Sequence, residues 1–211
     1  MKLYDISMPI HEEMPVYKND KGRRPKLTFH KKVAVDGVTS STLELDLHTG
    51  THLDAPLHML PGGSAIDEVA MTSVLTACRV IALTELEGEI SRSDLEPFEV
   101  QPGAFVLIKT RNSFSEAFDP GFVYLGLEAA KYLAELGVKG VGTDGLGIER
   151  GQEGHPTHKV LFEAGVMILE GLMLKNIEPG DYKLIALPLK IIGAEASPVR
   201  AVLVQEKKAT E

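Results

Sequence analysis

Hydrophobic and polar positions along the chain predict many short strands, clear turns and few helices. Leu43, Leu45 and Leu47 alternate with Glu44 and Asp46, which predicts a half-buried strand with its leucines toward a core. Residues 28–38 and 39–48 are expected to form a hairpin turning at Asp36-Gly37. The apolar runs 78–83 and 104–108 predict buried strands, the second a central one. Leu127 to Leu136 has the spacing of an amphipathic helix, closed by Gly137 and followed by a strand over 138–141. Ser91 with Asp94 marks a helix start that Pro97 keeps short. A strand over 182–192 contains Pro188, so a bulge or a sheet edge is expected there; 197–204 is the last strand. About eight strands without strict strand–helix alternation predict a single α/β domain over residues 1–211. Its mixed β-sheet would carry flanking helices and resemble neither a Rossmann fold nor a barrel.

The segment from His158 to Leu174 looks at first like one long helix. Gly165, with β-branched Val166 and Ile168 after it, predicts instead a helix ending near Ala164 and then a strand. The break has a chemical consequence. In one helix, His158 and Glu170 would lie about 18 Å apart along the axis and roughly 120° apart around it. With a break at Gly165 the chain doubles back and can bring them together.

Composition narrows the function classes. The 211 residues are 44% hydrophobic and 25% charged, ordinary for a soluble globular protein, and suffice for a sizeable core. A net charge of −8 argues against nucleic acid and against an anionic membrane surface as partners. One cysteine, Cys78, set among apolar residues, excludes an internal disulfide framework and predicts a buried thiol. The N-terminus has no apolar signal-peptide core, and no apolar run approaches the ~18–20 residues that span a bilayer. A cytoplasmic protein is expected. The basic stretch from Lys18 to Lys32 predicts a solvated loop or a flap that carries Tyr17 toward a ligand.

The chemistry concentrates in His48-Thr49-Gly50-Thr51-His52-Leu53-Asp54-Ala55-Pro56-Leu57-His58. Its three histidines and one aspartate all occupy even positions. In one extended strand they would share a face, opposite the apolar odd positions. Gly50, the threonines and Pro56 oppose the helical alternative. Imidazole and carboxylate are suitable ligands for zinc, manganese or iron. Cys78, Ser41 and Ser197 have no surroundings that would activate a nucleophile. From spacing alone, His155 competes with His158 as the later histidine.

The run resembles the signature His-x-Gly-Thr-His-x-Asp-Ala-Pro-x-His of the metal-dependent hydrolases called the cyclase family. Bacterial kynurenine formamidases are its best-known members and isatin hydrolases are relatives. Further stretches resemble the family in the same order: Tyr4-Asp5-Ile6-Ser7, Met14-Pro15-Val16-Tyr17, Val141-Gly142-Thr143-Asp144, Leu169-Glu170-Gly171-Leu172 and Ser197-Pro198-Val199-Arg200. The resemblance implies a swivelling β/β/α fold, a homodimer or homotetramer, and two divalent ions per chain, zinc first and manganese as the alternative. It implies His48, His52 and Asp54 as ligands of the first metal, Asp54 and Glu170 as bridges, and His158 on the second. His58 would be the proton carrier. Tyr17 falls where the formamidases carry a substrate-lining tryptophan, and Lys18-Asn19-Asp20 replaces their Pro-Gly-Asp. The expected activity is hydrolysis of a small-molecule amide by metal-activated water, with N-formyl-L-kynurenine as the leading substrate. Hydrolysis of a cyclic amide or lactone, as in isatin hydrolases, is the second expectation. A metal-containing binding protein without turnover is the third.

Overall fold

The computed structural model describes residues 1–205. In chain order its first strands are β1 (Lys2–Asp5), β2 (Lys26–Lys31), β3 (Ser40–Glu44), β4 (His52–Asp54) and β5 (Leu75–Leu83). Next come β6 (Glu89–Ile90), β7 (Phe105–Thr110), β8 (Tyr124–Leu125), β9 (Gly140–Thr143) and β10 (Met167–Glu170). The last are β11 (Gly180–Ile185), β12 (Ala196–Pro198) and β13 (Val202–Gln205). The helices are α1 (Val33–Asp36), α2 (Met71–Val74), α3 (Arg92–Leu95), α4 (Leu127–Leu136) and α5 (Pro156–Glu163).

Nine strands form one mixed sheet in the order β1-β13-β11-β5-β7-β9-β10-β4-β12. Its middle, β5-β7-β9-β10, is parallel, and both flanks are antiparallel. The run over 104–108 becomes β7, buried along its whole length between β5 and β9. Alternation along β7 divides the interior in two. Phe105 and Leu107 pack with Leu53, Leu169 and Leu203 on one face. Val106 and Ile108 pack with Ile168 and with Ala130, Leu133, Leu161 and Phe162 from α4 and α5 on the other.

Local chemistry sets several boundaries. Gly137 ends α4 in the left-handed conformation, its N–H bonding back to the Leu133 and Ala134 carbonyls. Ser91 and Asp94 form a capping box on α3, which gives way to a 3-10 turn containing Pro97. The predicted break after α5 is present: Gly165 has φ +73°, and β10 begins at Met167.

Four expectations need correction. Leu43 does not line the core: β3 is exposed throughout, with Leu43 48% exposed, because β2 and β3 pair only with each other, whereas half-buried Leu47, beyond the end of β3, packs against the core as expected. The predicted hairpin exists, but α1 and a left-handed Gly37 make its connection. The strand expected over 182–192 ends at Ile185; beyond it Pro188, which lacks an N–H, makes only an isolated bridge to Val199. The strand expected over 197–204 divides into β12, which joins β4, and β13, which joins β1 and β11.

Candidate metal centre

The run 48–58 is not one strand. Gly50 at φ +74° and Pro56 bound a strand of only three residues, His52–Asp54. His48 lies in the turn before it, and His58 in the 3-10 turn Pro56–His58 after it. Within β4 the period of two operates as expected. Leu53 enters the core, and His52 and Asp54 project from the opposite face. Register then supplies the next group, because Glu170 of β10 pairs with His52 and Ile168 with Asp54. Helix α5 packs on that same face through Leu161 and Phe162, and it brings His158 down onto the two carboxylates.

Backbone contacts hold the two halves together. The Thr51 hydroxyl donates to the Gly171 carbonyl at 2.6 Å. Gly171, at φ +68°, leaves no room for a side chain: an added Cβ would stand 2.2 Å from the Gly50 carbonyl oxygen.

Imidazole nitrogens and carboxylate oxygens converge on one buried space. His48 Nδ1 is 2.9 Å and His52 Nε2 3.5 Å from Asp54 Oδ1. His52 Nε2 is 3.4 Å from Glu170 Oε2. His158 Nε2 is 3.9 Å from Asp54 Oδ2 and 3.7 Å from Glu170 Oε1. Yet His52 Nε2 and both Asp54 oxygens, all buried, make no well-directed hydrogen bond among the described residues, the 2.9 Å approach of His48 Nδ1 included. Buried polar atoms without partners are costly. A cation ligated from several sides would satisfy them, so these residues fit a divalent ion. The far side of each ring agrees. His52 Nδ1 donates to the Gly50 carbonyl at 2.9 Å, which leaves Nε2 as the free ligand nitrogen of the neutral ring. His158 Nδ1 faces Glu149 Oε1 at 3.1 Å, and His48 Nε2 faces Glu195 Oε1 at 3.4 Å. Such acceptors behind an imidazole orient it toward a metal. The Ile148 N–H donates to Glu170 Oε1 at 2.6 Å and fixes that carboxylate.

Electrostatics in the metal-free protein follow the same geometry. Burial disfavours the charged imidazoles, but Asp54 and Glu170 outweigh it and hold His52 at about 9. Burial is likewise outweighed at His158, where Glu149 and then Glu170 raise the imidazole to about 10. His58 behaves differently: burial holds it below its ordinary value, because Asp54 compensates only in part. Its ring stacks on His48, with centroids 4.1 Å apart. His58 also offers a nitrogen within 4.8 Å of ligand atoms of His48 and Asp54.

The two later histidines are placed differently. His155 turns outward and bonds Glu149 at 2.5 Å, whereas His158 reaches Asp54 and Glu170. Sequence reasoning missed Glu149. It is a buried carboxylate that also accepts from the Thr157 N–H. The only signal was an acid a few residues before the two histidines, in a Gly-rich stretch with no periodicity. Asp144 accepts four hydrogen bonds from the backbone and hydroxyls of Thr110 and Ser113. It latches a turn and does not enter the cluster.

The centre opens into a cavity of about 280 Å³. Tyr17 lines it, with its ring edge-on to Phe118 and Phe122. Burial and the charges of Glu170 and Glu149 push the Tyr17 phenol up, against a smaller opposing effect of Arg23.

Similarity to known proteins agrees with this geometry. The chain is 32% identical over 207 residues to a kynurenine formamidase of Sphingopyxis alaskensis, covering 96% of this chain and 97% of that one. A solved structure of a potential metal-dependent hydrolase with cyclase activity superposes with TM-score 0.90 at 45% identity, covering 98% of this chain and 99% of that chain. Isatin hydrolase A of Labrenzia aggregata superposes with TM-score 0.85 at 25% identity, covering 97% and 94%. The family described as putative cyclase matches residues 4–150, and the chain belongs to that cyclase family.

Proposed function

We propose that this protein is a metal-dependent hydrolase of carbon–nitrogen amide bonds, of the arylformamidase kind. One observation carries the reading: Asp54 and Glu170, with partnerless oxygens on Asp54, face the nitrogens of His48, His52 and His158 at the floor of a cavity. We assign His48, His52, Asp54, His158 and Glu170 as ligands of two divalent ions, zinc first and manganese as the alternative. The bridging position of the two carboxylates between the imidazoles supports two ions over one. Bound divalent metal supplies Lewis acidity toward the scissile carbonyl and toward the attacking water.

The remaining steps belong to the chain. His58 stands beside the ligands with its ring neutral near pH 7, because burial holds its pKa down. It takes a proton as water attacks and returns it to the departing nitrogen, since an amine leaves poorly as an anion. Tyr17, backed by Phe118 and Phe122, offers an aromatic wall against an aryl substrate. N-formyl-L-kynurenine is the substrate we would test first. The deciding experiment loads the protein with zinc or manganese and assays N-formyl-L-kynurenine, formanilide and isatin. Turnover of the formamides supports this reading, and turnover of isatin alone points to cyclic amides. Metal bound without turnover of any of them overturns the reading and favours a binding protein.

The two core clusters share strands of one sheet, which supports a single domain over the described residues 1–205. We also assign the protein as a homodimer or homotetramer. A two-stranded hairpin is marginal alone, yet β2–β3 exposes Leu27, Phe29 and Leu43, and a second copy would cover them. No helix among the described residues is long and apolar enough to cross a membrane. Cys78 is a buried free thiol, which fits a reducing, cytoplasmic setting.

A further inference from the structure

The geometry points to Arg23 as the specificity-determining group of the cavity, the residue that would take the carboxylate of an anionic amide substrate. This inference rests on the amide-hydrolase reading and adds a recognition residue to it.

Among the described residues that line the cavity, Arg23 is the only lysine or arginine. Its neighbours there are imidazoles, the carboxylates of Glu149 and Glu170, and the Tyr17 ring. It belongs to the basic stretch after Tyr17, and among the described residues it is the one cation of that stretch that lines the cavity. Arg24 is committed to Glu13 at 2.9 Å. The Arg23 guanidinium has one loose contact, Nε to Asp46 Oδ2 at 3.9 Å, and no hydrogen bond from its side chain among the described residues. The side chain is 40% exposed, so its planar N–H fork remains available.

The backbone at Arg23 is fixed to the site. The Thr49 hydroxyl, next to His48, donates to the Arg23 carbonyl at 3.1 Å. The Asp20 carboxylate accepts from the Gly22 N–H at 2.9 Å and closes the turn that presents Arg23. The arginine is therefore held relative to the ligand loop and does not wave freely on a flap. An uncharged substrate gains little from such a group. A carboxylate matches the guanidinium fork bidentately, and the cavity's own acids are repelled from that role by their charge. The scissile amide would lie over Asp54 and Glu170 while its carboxylate sits at the Arg23 rim.

The test compares the wild type with Arg23→Gln and Arg23→Lys, all metal-loaded, on formanilide and on 2-, 3- and 4-formamidobenzoate. In Arg23→Gln the ratio of kcat/KM for the best formamidobenzoate to that for formanilide should fall about 10–100-fold, mainly through KM. Arg23→Lys should recover part of the loss. An unchanged ratio overturns the assignment and leaves Arg23 as a solvated partner of Asp46. Independently of turnover, calorimetric titration with the aminobenzoates should show at least about tenfold weaker binding to Arg23→Gln. Equal affinity in both proteins overturns the inference even if no formamide is hydrolysed. Arg23-dependent aminobenzoate binding without turnover would leave the anion site standing and remove the amide reading alone.

Discussion

Glu149 stands behind His158: its Oε1 lies 3.1 Å from the ring nitrogen opposite the one that faces Asp54 and Glu170. A carboxylate there favours, by its charge, a proton on Nδ1 and leaves Nε2 for a metal. Glu149→Ala should lower divalent-metal affinity about 10–100-fold, with Glu149→Gln between it and the wild type. Titration against a competing chelator measures this, and the far-ultraviolet spectrum checks the fold. Affinity equal to wild type in Glu149→Ala would show that His158 needs no orienting partner.

The His58 assignment predicts a different signature. His58→Ala should keep its metal, by elemental analysis, while kcat falls about 10²–10⁴-fold. Loss of an equivalent of metal would make His58 a ligand, which its distance from Asp54 and His48 permits.

What the sequence could reveal depended on the range of the interaction. The α4 boundaries, the capping box at Ser91 and the break at Gly165 are local chemistry, and each could be read from a few residues. The pairing of His52 and Asp54 on one face needed only the period of a strand. The arrival of His48 and His58 beside them did not follow from that period, because Gly50 and Pro56 turn the chain on both sides of β4. Leu43 was misread because alternation reports one apolar face but not what covers it. Glu149 was invisible because its role is defined by His155, His158 and Thr157 in space, not by any pattern around it.

The exposed hairpin yields a test of assembly. Leu27 and Leu43 are cross-strand partners, and with Phe29 they line an apolar groove of about 520 Å³ beside Ile10 and Pro25. Leu27→Glu with Phe29→Glu should convert an oligomer into a monomer in light scattering coupled to size exclusion, without loss of helix or strand signal. A monomeric wild type would refute the proposed assembly.

Asp144 predicts a stability effect separate from chemistry. Removing its carboxylate leaves the Thr110 and Ser113 N–H groups and hydroxyls without their acceptor in a buried turn. Asp144→Ala should cost about 3 kcal/mol in urea unfolding of the metal-free protein. A change below about 0.5 kcal/mol, the size of a surface substitution, would show that the latch carries no weight.

The close approach of Gly171 to Gly50 also bears on how the protein is made. Thr51 and Gly171 are 120 positions apart in the chain, so the centre forms only after a long loop has closed and β10 has paired with β4. Closure of that kind is entropically slow and is rewarded late. A partly folded chain therefore holds at most the ligands of the first half, and an ion captured early would be bound weakly and released. An ion that binds only the finished centre favours the native state by mass action. It would act as a clasp between β10 and β4 at the end of the sheet, where β4 and the edge strand β12 have only three residues each, and metal supply would then govern how long the finished protein lasts.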